Sequence, residues 1–263
     1  MWKTLLDLFF PINCLGCGQA GQFICPACLK KIPLNQKALF GPDQARSLTG
    51  LVVANDYGYP LVKEAIYRYK YDLVKDLAEP LGWLMVQQLS VCLKISPEDT
   101  FLLAVPLHPK RLRWRGFNQA ELLAQVISHQ LEIPLAENIL RRVKYRPSQV
   151  SVKGLRQKKD NIKDSFQLFS ESSRDVPCYK GLPFRITPSP SARMCPKGRP
   201  FKSVVKMNAP GRPFGGPEER DLKNKTIILV DDVSTTGATL AECAKALKPL
   251  QPKEIWGLVI AHG

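Results

Sequence analysis

The chain has 263 residues, of which 44% are hydrophobic and 23% charged, a composition that supplies a sizeable core and argues against wholesale disorder. Lysine and arginine number 38 against 23 acidic residues, so the formal net charge is +15. This excess favours an anionic partner, whether nucleic acid, a phosphorylated metabolite or an acidic protein surface. We expect no membrane span, because no apolar run is long enough. The first residues are mostly apolar, but Asp7 interrupts this run and Pro11 ends it. Because this pattern is unlike a signal peptide, it predicts a cytoplasmic location.

Four of the eight cysteines form two Cys-x-x-Cys pairs early in the chain, at Cys14, Cys17, Cys25 and Cys28. Each pair can form a tight turn that presents two thiolates, and two such turns suit tetrahedral Zn²⁺. Disulfides are disfavoured without a secretion signal, and a redox dithiol is disfavoured because neither pair opens a thioredoxin-like unit. We therefore predict a zinc ribbon or knuckle over residues 1–35. Its role is structural, because four protein ligands leave no open position.

Strand and helix patterns alternate along the rest of the chain. Short runs of apolar and β-branched residues predict strands at residues 50–55, 101–105, 226–230 and 254–260. Three- and four-residue apolar spacing predicts a helix from Pro60 that breaks at Pro80. Further helices are predicted to begin after Asn118 and near Ala238. Because parallel neighbouring strands need crossover connections, this order predicts an α/β domain over residues 50–263, with a parallel sheet flanked by helices.

Residues from about 171 to 220 do not fit this pattern. They hold nine of the chain's 22 prolines and show neither helical nor strand periodicity. Such a segment cannot bury enough apolar surface to offset chain entropy, so we predict a disordered insertion that interrupts the α/β domain. It is either a basic arm for nucleic acid or a tolerated surface-loop insertion, and the second is favoured because long surface loops cost little.

The strand predicted at residues 226–230 delivers two adjacent carboxylates, Asp231 and Asp232, to its carboxyl end, the edge at which ligands bind in open α/β sheets. Small and hydroxylated residues follow and lead into a helix N-terminus, whose amides and dipole favour an anion: Ser234, Thr235, Thr236, Gly237, Ala238 and Thr239. These residues predict a clamp for a ribose phosphate, with carboxylates for the vicinal hydroxyls and the loop for the 5-phosphate. A P-loop is excluded because no Gly-Lys-Ser/Thr follows.

This strand, its two acids and the Thr-Thr-Gly-x-Thr loop resemble the phosphoribosyl diphosphate (PRPP) signature of type I phosphoribosyltransferases. The segment from Val105 to Glu121, joined to the cysteine pairs, is similar to the ComF family of bacteria. That family comprises competence-associated proteins with a zinc module ahead of a phosphoribosyltransferase domain. The resemblance covers residues 5–169 and 222–262 and leaves the proline-rich segment outside.

The resemblance implies that the loop after residues 101–105 binds the diphosphate of PRPP. Its candidate residues are Leu107, His108 and Lys110, because a diphosphate needs close backbone amides and a cation. Capping of the turn is the alternative role for His108, and it stays open at this point.

The resemblance also implies that Asp231 and Asp232 are catalytic carboxylates, which hold the ribose hydroxyls or the waters of Mg²⁺. Residues 147–161 resemble the mobile loop that closes over the reacting centre in this fold. The aromatic and basic stretch from Tyr67 to Tyr71 is either a hood over the acceptor or an ordinary helix face.

Two functions are compatible with these features. The first is an enzyme that binds PRPP with Mg²⁺ and transfers the phosphoribosyl group to an acceptor that no residue identifies. The second is a non-catalytic, PRPP-responsive protein that binds single-stranded DNA or a partner of the competence machinery. For both, the resemblance implies a role in natural competence and DNA uptake.

Overall fold

The computed structural model describes residues 12–35, 39–40, 47–145, 163–169 and 222–263. The insertion predicted at about 171–220 and the loop predicted at 147–161 lie outside the described residues. The described chain divides into two units: residues 12–33 belong to the first, and the remainder, from Leu34 onward, belongs to the second. No helix in these described ranges is both long and apolar enough to cross a bilayer.

In the described residues, seven strands form a five-stranded sheet and a two-stranded sheet. In chain order they are β1 (Leu39–Phe40), β2 (Gly50–Asp56), β3 (Thr100–Ala104), β4 (Leu140–Arg142), β5 (Phe166–Leu168), β6 (Thr226–Ser234) and β7 (Glu254–His262). The large sheet has the order β1-β2-β7-β6-β3, in which only the edge strand β1 is antiparallel to its neighbour. β4 and β5 form the small antiparallel sheet.

The described residues contain six α-helices: α1 (Pro26–Lys31) in the first unit and, in the second, α2 (Pro60–Lys70), α3 (Ala78–Cys92), α4 (Pro109–Arg115), α5 (Gln119–Leu131) and α6 (Ala238–Leu247). Three helices of the second unit, α3, α5 and α6, cover the large sheet. α3 and α5 pack together, α3 against β2 and α5 against β3 and β6. On the opposite face, Ile227 and Leu229 of β6 share a core with Leu240 and Leu247 of α6. The predicted fold class, a parallel sheet flanked by helices, is therefore confirmed.

The predicted helix break at Pro80 is wrong. α2 ends at Lys70, and the chain turns through Leu73, which has a left-handed φ of 57°. Pro80 lies inside the first turn of α3. Proline is tolerated there because the amides of a helix's first turn have no intrahelical acceptor.

Candidate ligand site and metal centre

The carboxyl end of the large sheet brings together two segments that are distant in the sequence. β3 and β6 pair in parallel with Ala104 opposite Val230. The Val105 N–H then donates to the Val230 carbonyl at 2.9 Å, so the loop after β3 starts beside the aspartates of β6. β6 is longer than predicted and includes Asp231 and Asp232, because its pairing with β7 continues to Ser234. The two aspartates thus project from a paired strand rather than from a free loop.

Consecutive strand residues point to opposite faces of a sheet, so the two carboxylates diverge. Asp232 lies on the face of α2, where Lys70 Nζ is 3.1 Å from its Oδ1. Asp231 lies towards α6 and influences the buried Cys243 thiol. Each carboxylate also accepts the next backbone amide at Oδ1, from Asp232 at 2.8 Å and from Val233 at 2.6 Å.

The two carboxyl groups differ in electrostatic environment. Burial, followed by the charge of Asp232, raises the pKa of Asp231 to about 7, although the cations of Lys70 and Arg142 act in the opposite direction. Burial by itself lowers the pKa of Lys70, but the charges of Asp232 and Asp231 outweigh burial and the net shift is upward. Lys70 therefore remains a cation near neutral pH and compensates the carboxylate pair.

Lys70 was not among the site residues predicted from the sequence. It lies in the aromatic stretch from Tyr67 to Tyr71, whose residues differ in burial; Tyr69 fits the helix-face role, and the role of a hood over the acceptor stays a prediction. Tyr69 is fully buried and donates its hydroxyl to the Gln119 carbonyl at 2.8 Å, which anchors the end of α2 to α5. Tyr67 and Tyr71 are about half exposed and contact each other, with ring centroids 5.1 Å apart. Basic residues flanked by tyrosines were the signal that could have pointed to Lys70.

The hydroxyl-rich loop forms a tight turn into α6. Ser234 is buried, and its Oγ accepts the Gly237 N–H at 3.1 Å. Gly237 has a φ of 71°, and a Cβ there would meet nothing within 4 Å, so the left-handed backbone and not crowding favours glycine. Thr236 Oγ1 accepts the Ala238 N–H at 3.4 Å. Thr235 is exposed, and the residues from Thr236 to Thr239 are partly exposed.

The loop after β3 is held from both sides. His108 Nδ1 accepts the Lys110 N–H at 3.1 Å and caps α4, so the capping alternative describes its geometry. Asn118 Nδ2 donates to the Val105 carbonyl at 3.1 Å and ties the loop to the start of α5. Leu107 and His108 are partly exposed, and Lys110 is exposed with its Nζ 5.0 Å from the ring centroid of Tyr145. Burial, then the cation of Arg142, lowers the pKa of His108, so the imidazole is neutral near pH 7.

In the first unit, the four cysteines form one cluster. The Sγ atoms of Cys14, Cys17, Cys25 and Cys28 all lie within 4.8 Å of one another. Four thiolates around Zn²⁺ at bonds of about 2.3 Å would be separated by about 3.8 Å, so this spacing fits a tetrahedral ion. The first pair lies on a turn, and the second spans the start of α1, whose N-cap is Cys25. The cluster is therefore compatible with a metal ion such as zinc.

Backbone amides point at the sulfur atoms. The Cys25 N–H lies 3.2 Å from Cys14 Sγ, and the Cys28 N–H lies 3.4 Å from Cys25 Sγ. Burial raises the pKa of Cys14, but backbone amides, that of Cys25 foremost, outweigh it and lower the value to about 6. Burial and the neighbouring thiols raise the pKa of Cys28 to about 12. Burial disfavours the negative charge of the thiolates, and a bound metal ion would compensate that charge.

Comparison with known proteins agrees with this architecture. The family model described as Phosphoribosyl transferase domain matches residues 118–262, and the chain belongs to this family. Competence protein F of Haemophilus influenzae is 29% identical over 259 residues, which cover 94% of this chain and 84% of that protein, and the predicted ComF resemblance is confirmed. The DNA utilization protein YhgH of Salmonella typhi is 24% identical over 85% of this chain and 70% of its own length. The same-named protein of Escherichia coli K12 is 23% identical with the same coverages.

Proposed function

We propose that this protein binds PRPP together with Mg²⁺ and transfers the phosphoribosyl group to an acceptor. One observation carries this proposal: the carboxylates of Asp231 and Asp232 and the turn into α6 lie on successive residues at the carboxyl edge of the sheet. Carboxylates suit the vicinal ribose hydroxyls, while amides at a helix N-terminus suit the 5-phosphate. The chain's family membership supports the same ligand class.

Each segment of the edge has its own task in this proposal. Asp231 and Asp232 hold the ribose hydroxyls or the waters of Mg²⁺, each carboxylate from its own side of β6. The loop residues bind the 5-phosphate through amides and hydroxyls: Ser234, Thr235, Thr236, Gly237, Ala238 and Thr239. The backbone at Leu107 and His108 faces the diphosphate, and Lys110 contributes positive charge.

The donor set fits Mg²⁺, which proteins usually bind through one or two carboxylates together with substrate phosphates. When bound, Mg²⁺ would neutralise charge on the diphosphate. In the reaction, the bond between ribose C1 and the diphosphate oxygen breaks, and the diphosphate leaves with the electron pair. A nucleophilic atom of the acceptor forms the new bond to C1 and gives up its proton to solvent. The carboxylates stabilise the positive charge that develops on the ribose ring.

The cysteine cluster is proposed to hold a structural Zn²⁺, because four thiolates complete its tetrahedral coordination. The relatives are named for competence and DNA utilization. We therefore place the proposed activity in natural competence and the handling of incoming DNA. The two-domain organisation, with residues 1–35 ahead of a domain over residues 50–263, belongs to the same proposal.

The proposal is tested by calorimetry of PRPP with Mg²⁺ on the full chain. We expect a saturable heat for the wild type, and a loss of affinity of at least about 100-fold for the Asp231→Asn/Asp232→Asn double variant, since several charge-assisted hydrogen bonds are lost. Lys63→Met, a change at an exposed residue of α2, is the control and should bind as the wild type does. An absence of heat in the intact protein would contradict the proposal.

Exposed aromatic and basic side chains near the end of α2 and on α4 favour the second candidate function, binding of single-stranded DNA. Tyr67, Tyr71 and Trp114 are exposed by 54%, 51% and 69%, and Arg113 is also exposed. Exposed rings stack on bases, and nearby cations contact phosphates. A protein of this second kind retains salt-dependent DNA affinity after the Asp231→Asn/Asp232→Asn change, whereas pyrophosphate release with an acceptor would identify the enzyme.

Deletion of residues 171–220 is expected to leave PRPP affinity within about twofold of the wild-type value, because the composition of this proline-rich segment predicts a tolerated insertion that contributes little to a site on the sheet. The same calorimetric titration measures this, with the circular dichroism spectrum as a check on folding. A larger loss of affinity in a folded deletion variant would assign the segment a part in ligand binding.

A further inference from the structure

The end of α2 supplies a cation to the ligand edge from outside the part of the chain that the family model matches. Lys70 Nζ lies 3.1 Å from Asp232 Oδ1, and its side chain is only 20% exposed. The family match begins at residue 118. This ion pair therefore adds a residue to the site that the phosphoribosyltransferase signature does not include.

Lys70 is held in place by its neighbour. The buried Tyr69 hydroxyl donates to the Gln119 carbonyl, and its ring lies 6.2 Å from that of Phe117. Helix α2 thus ends at a position that is tied to the start of α5. An ammonium on such an anchored backbone loses less freedom on meeting a ligand than one on a mobile loop.

The ion pair between Lys70 and Asp232 leaves N–H donors of Lys70 and one carboxylate oxygen of Asp232 for a ligand. Lys70 and the Val233 amide both contact Oδ1 of Asp232, while within the described part of the chain no hydrogen bond reaches Oδ2. A lysine ammonium has three N–H donors, and one of them serves the carboxylate. Oδ2 can accept a ribose hydroxyl while the remaining Lys70 donors point to another group.

That other group follows from the chemistry of PRPP. The diphosphate of PRPP is attached to ring carbon C1. The ring carbon next to C1 carries a hydroxyl that the Asp232 carboxylate holds in this proposal. A cation in contact with the carboxylate is consequently within reach of the oxygen that leaves with the diphosphate. We propose that Lys70 is a ligand-binding residue that contacts the diphosphate of PRPP while it pairs with Asp232. This inference rests on the proposed function.

The test compares two ligands that differ in the diphosphate alone, PRPP and ribose 5-phosphate, on the full chain with Mg²⁺. For Lys70→Met we expect PRPP affinity to fall by about 10- to 100-fold, the effect of losing a charge-assisted hydrogen bond, and ribose 5-phosphate affinity to change less than about twofold. Lys70→Arg should recover part of the PRPP affinity, since it keeps the charge. Lys63→Met, on the exposed side of α2, should bind both ligands as the wild type does.

The outcomes separate this inference from the proposed function. If Lys70 only orients Asp232, Lys70→Met weakens both ligands equally and the inference is wrong. The inference is also overturned if Lys70→Met binds PRPP normally. If the wild type binds neither ligand, the proposed function itself fails. If Lys70→Met is unfolded, Lys70→Gln and Lys70→Arg are used instead, and the PRPP affinity is compared with the ribose 5-phosphate affinity in the same way.

Discussion

Replacing Cys14 with serine is expected to abolish stoichiometric zinc binding and to unfold residues 12–33. The regular secondary structure among the described residues of this short unit is small: one isolated bridge between Asn13 and Ala20, and the six-residue helix α1. Structural zinc contributes about 10–16 kcal/mol to the folding of small zinc modules, which is more than such a unit gains from packing. The readouts are metal content by mass spectrometry and amide hydrogen exchange over these residues.

Cys92→Ser is the matched control for the cysteine experiment, because Cys92 lies on α3 and is not part of the cluster. It should retain one zinc per chain. Acidification should also release the metal, because zinc binds thiolates and protons compete with the metal for them. Unchanged metal content in Cys14→Ser would show that the cluster is not the zinc site.

Asp231→Asn is expected to abolish PRPP binding and, at the same time, to stabilise the fold above pH 7. Burial raises the pKa of Asp231 to about 7, whereas an aspartate in the unfolded chain releases its proton near pH ~4. Between these values the folded state keeps a proton that the unfolded state has lost, so the free energy of unfolding falls as pH rises. Above pH 7 the loss is complete, and asparagine, which does not ionise, avoids it.

The expected gain is about 1–3 kcal/mol, which raises the Tm by roughly 3–8 °C for a chain of this size. At pH ~4 and below the two proteins should melt together, because the carboxyl is then neutral in both states. The measurement is scanning calorimetry at several pH values. A lower Tm for Asp231→Asn at pH 7.5 would mean that the ionised carboxylate stabilises the fold.

Asp232→Asn is the matched comparison. It removes the carboxylate that pairs with Lys70 at 3.1 Å and leaves a largely buried ammonium with less compensation. We expect a lower Tm at pH 7.5 for this variant, in contrast with Asp231→Asn, while both lose PRPP affinity. If the two substitutions shift the Tm in opposite directions while both weaken PRPP binding, the loss of binding does not result from a loss of stability.

Much of the fold could be predicted because its signals are local. Four parallel strands were placed within a few residues, since short apolar runs bounded by polar residues are typical of buried strands. Each exception has a physical reason. β6 extends beyond its apolar run because pairing with β7 continues past the carboxylates, and Pro80 was misplaced as a break because a first-turn proline disrupts nothing.

The candidate site was predictable only in part. The aspartates and the turn to α6 are contiguous in sequence, so their order alone indicated a clamp. The sequence left two roles open for His108. The structure shows that its side chain caps α4 by accepting the Lys110 N–H, and its role in diphosphate binding stays a prediction. Lys70 escaped prediction because its significance comes from a contact with Asp232, a residue far along the chain.

By itself, the amino-acid sequence determined the alternation of strands and helices, the cysteine spacing that suits a metal ion and the residues that end β6, because each depends on neighbours along the chain. Only the tertiary structure decided that Asp231 and Asp232 face opposite sides of the sheet, that burial raises the pKa of one carboxyl, and that Lys70 compensates the other. These properties depend on distance and desolvation, which are set when separate segments pack together.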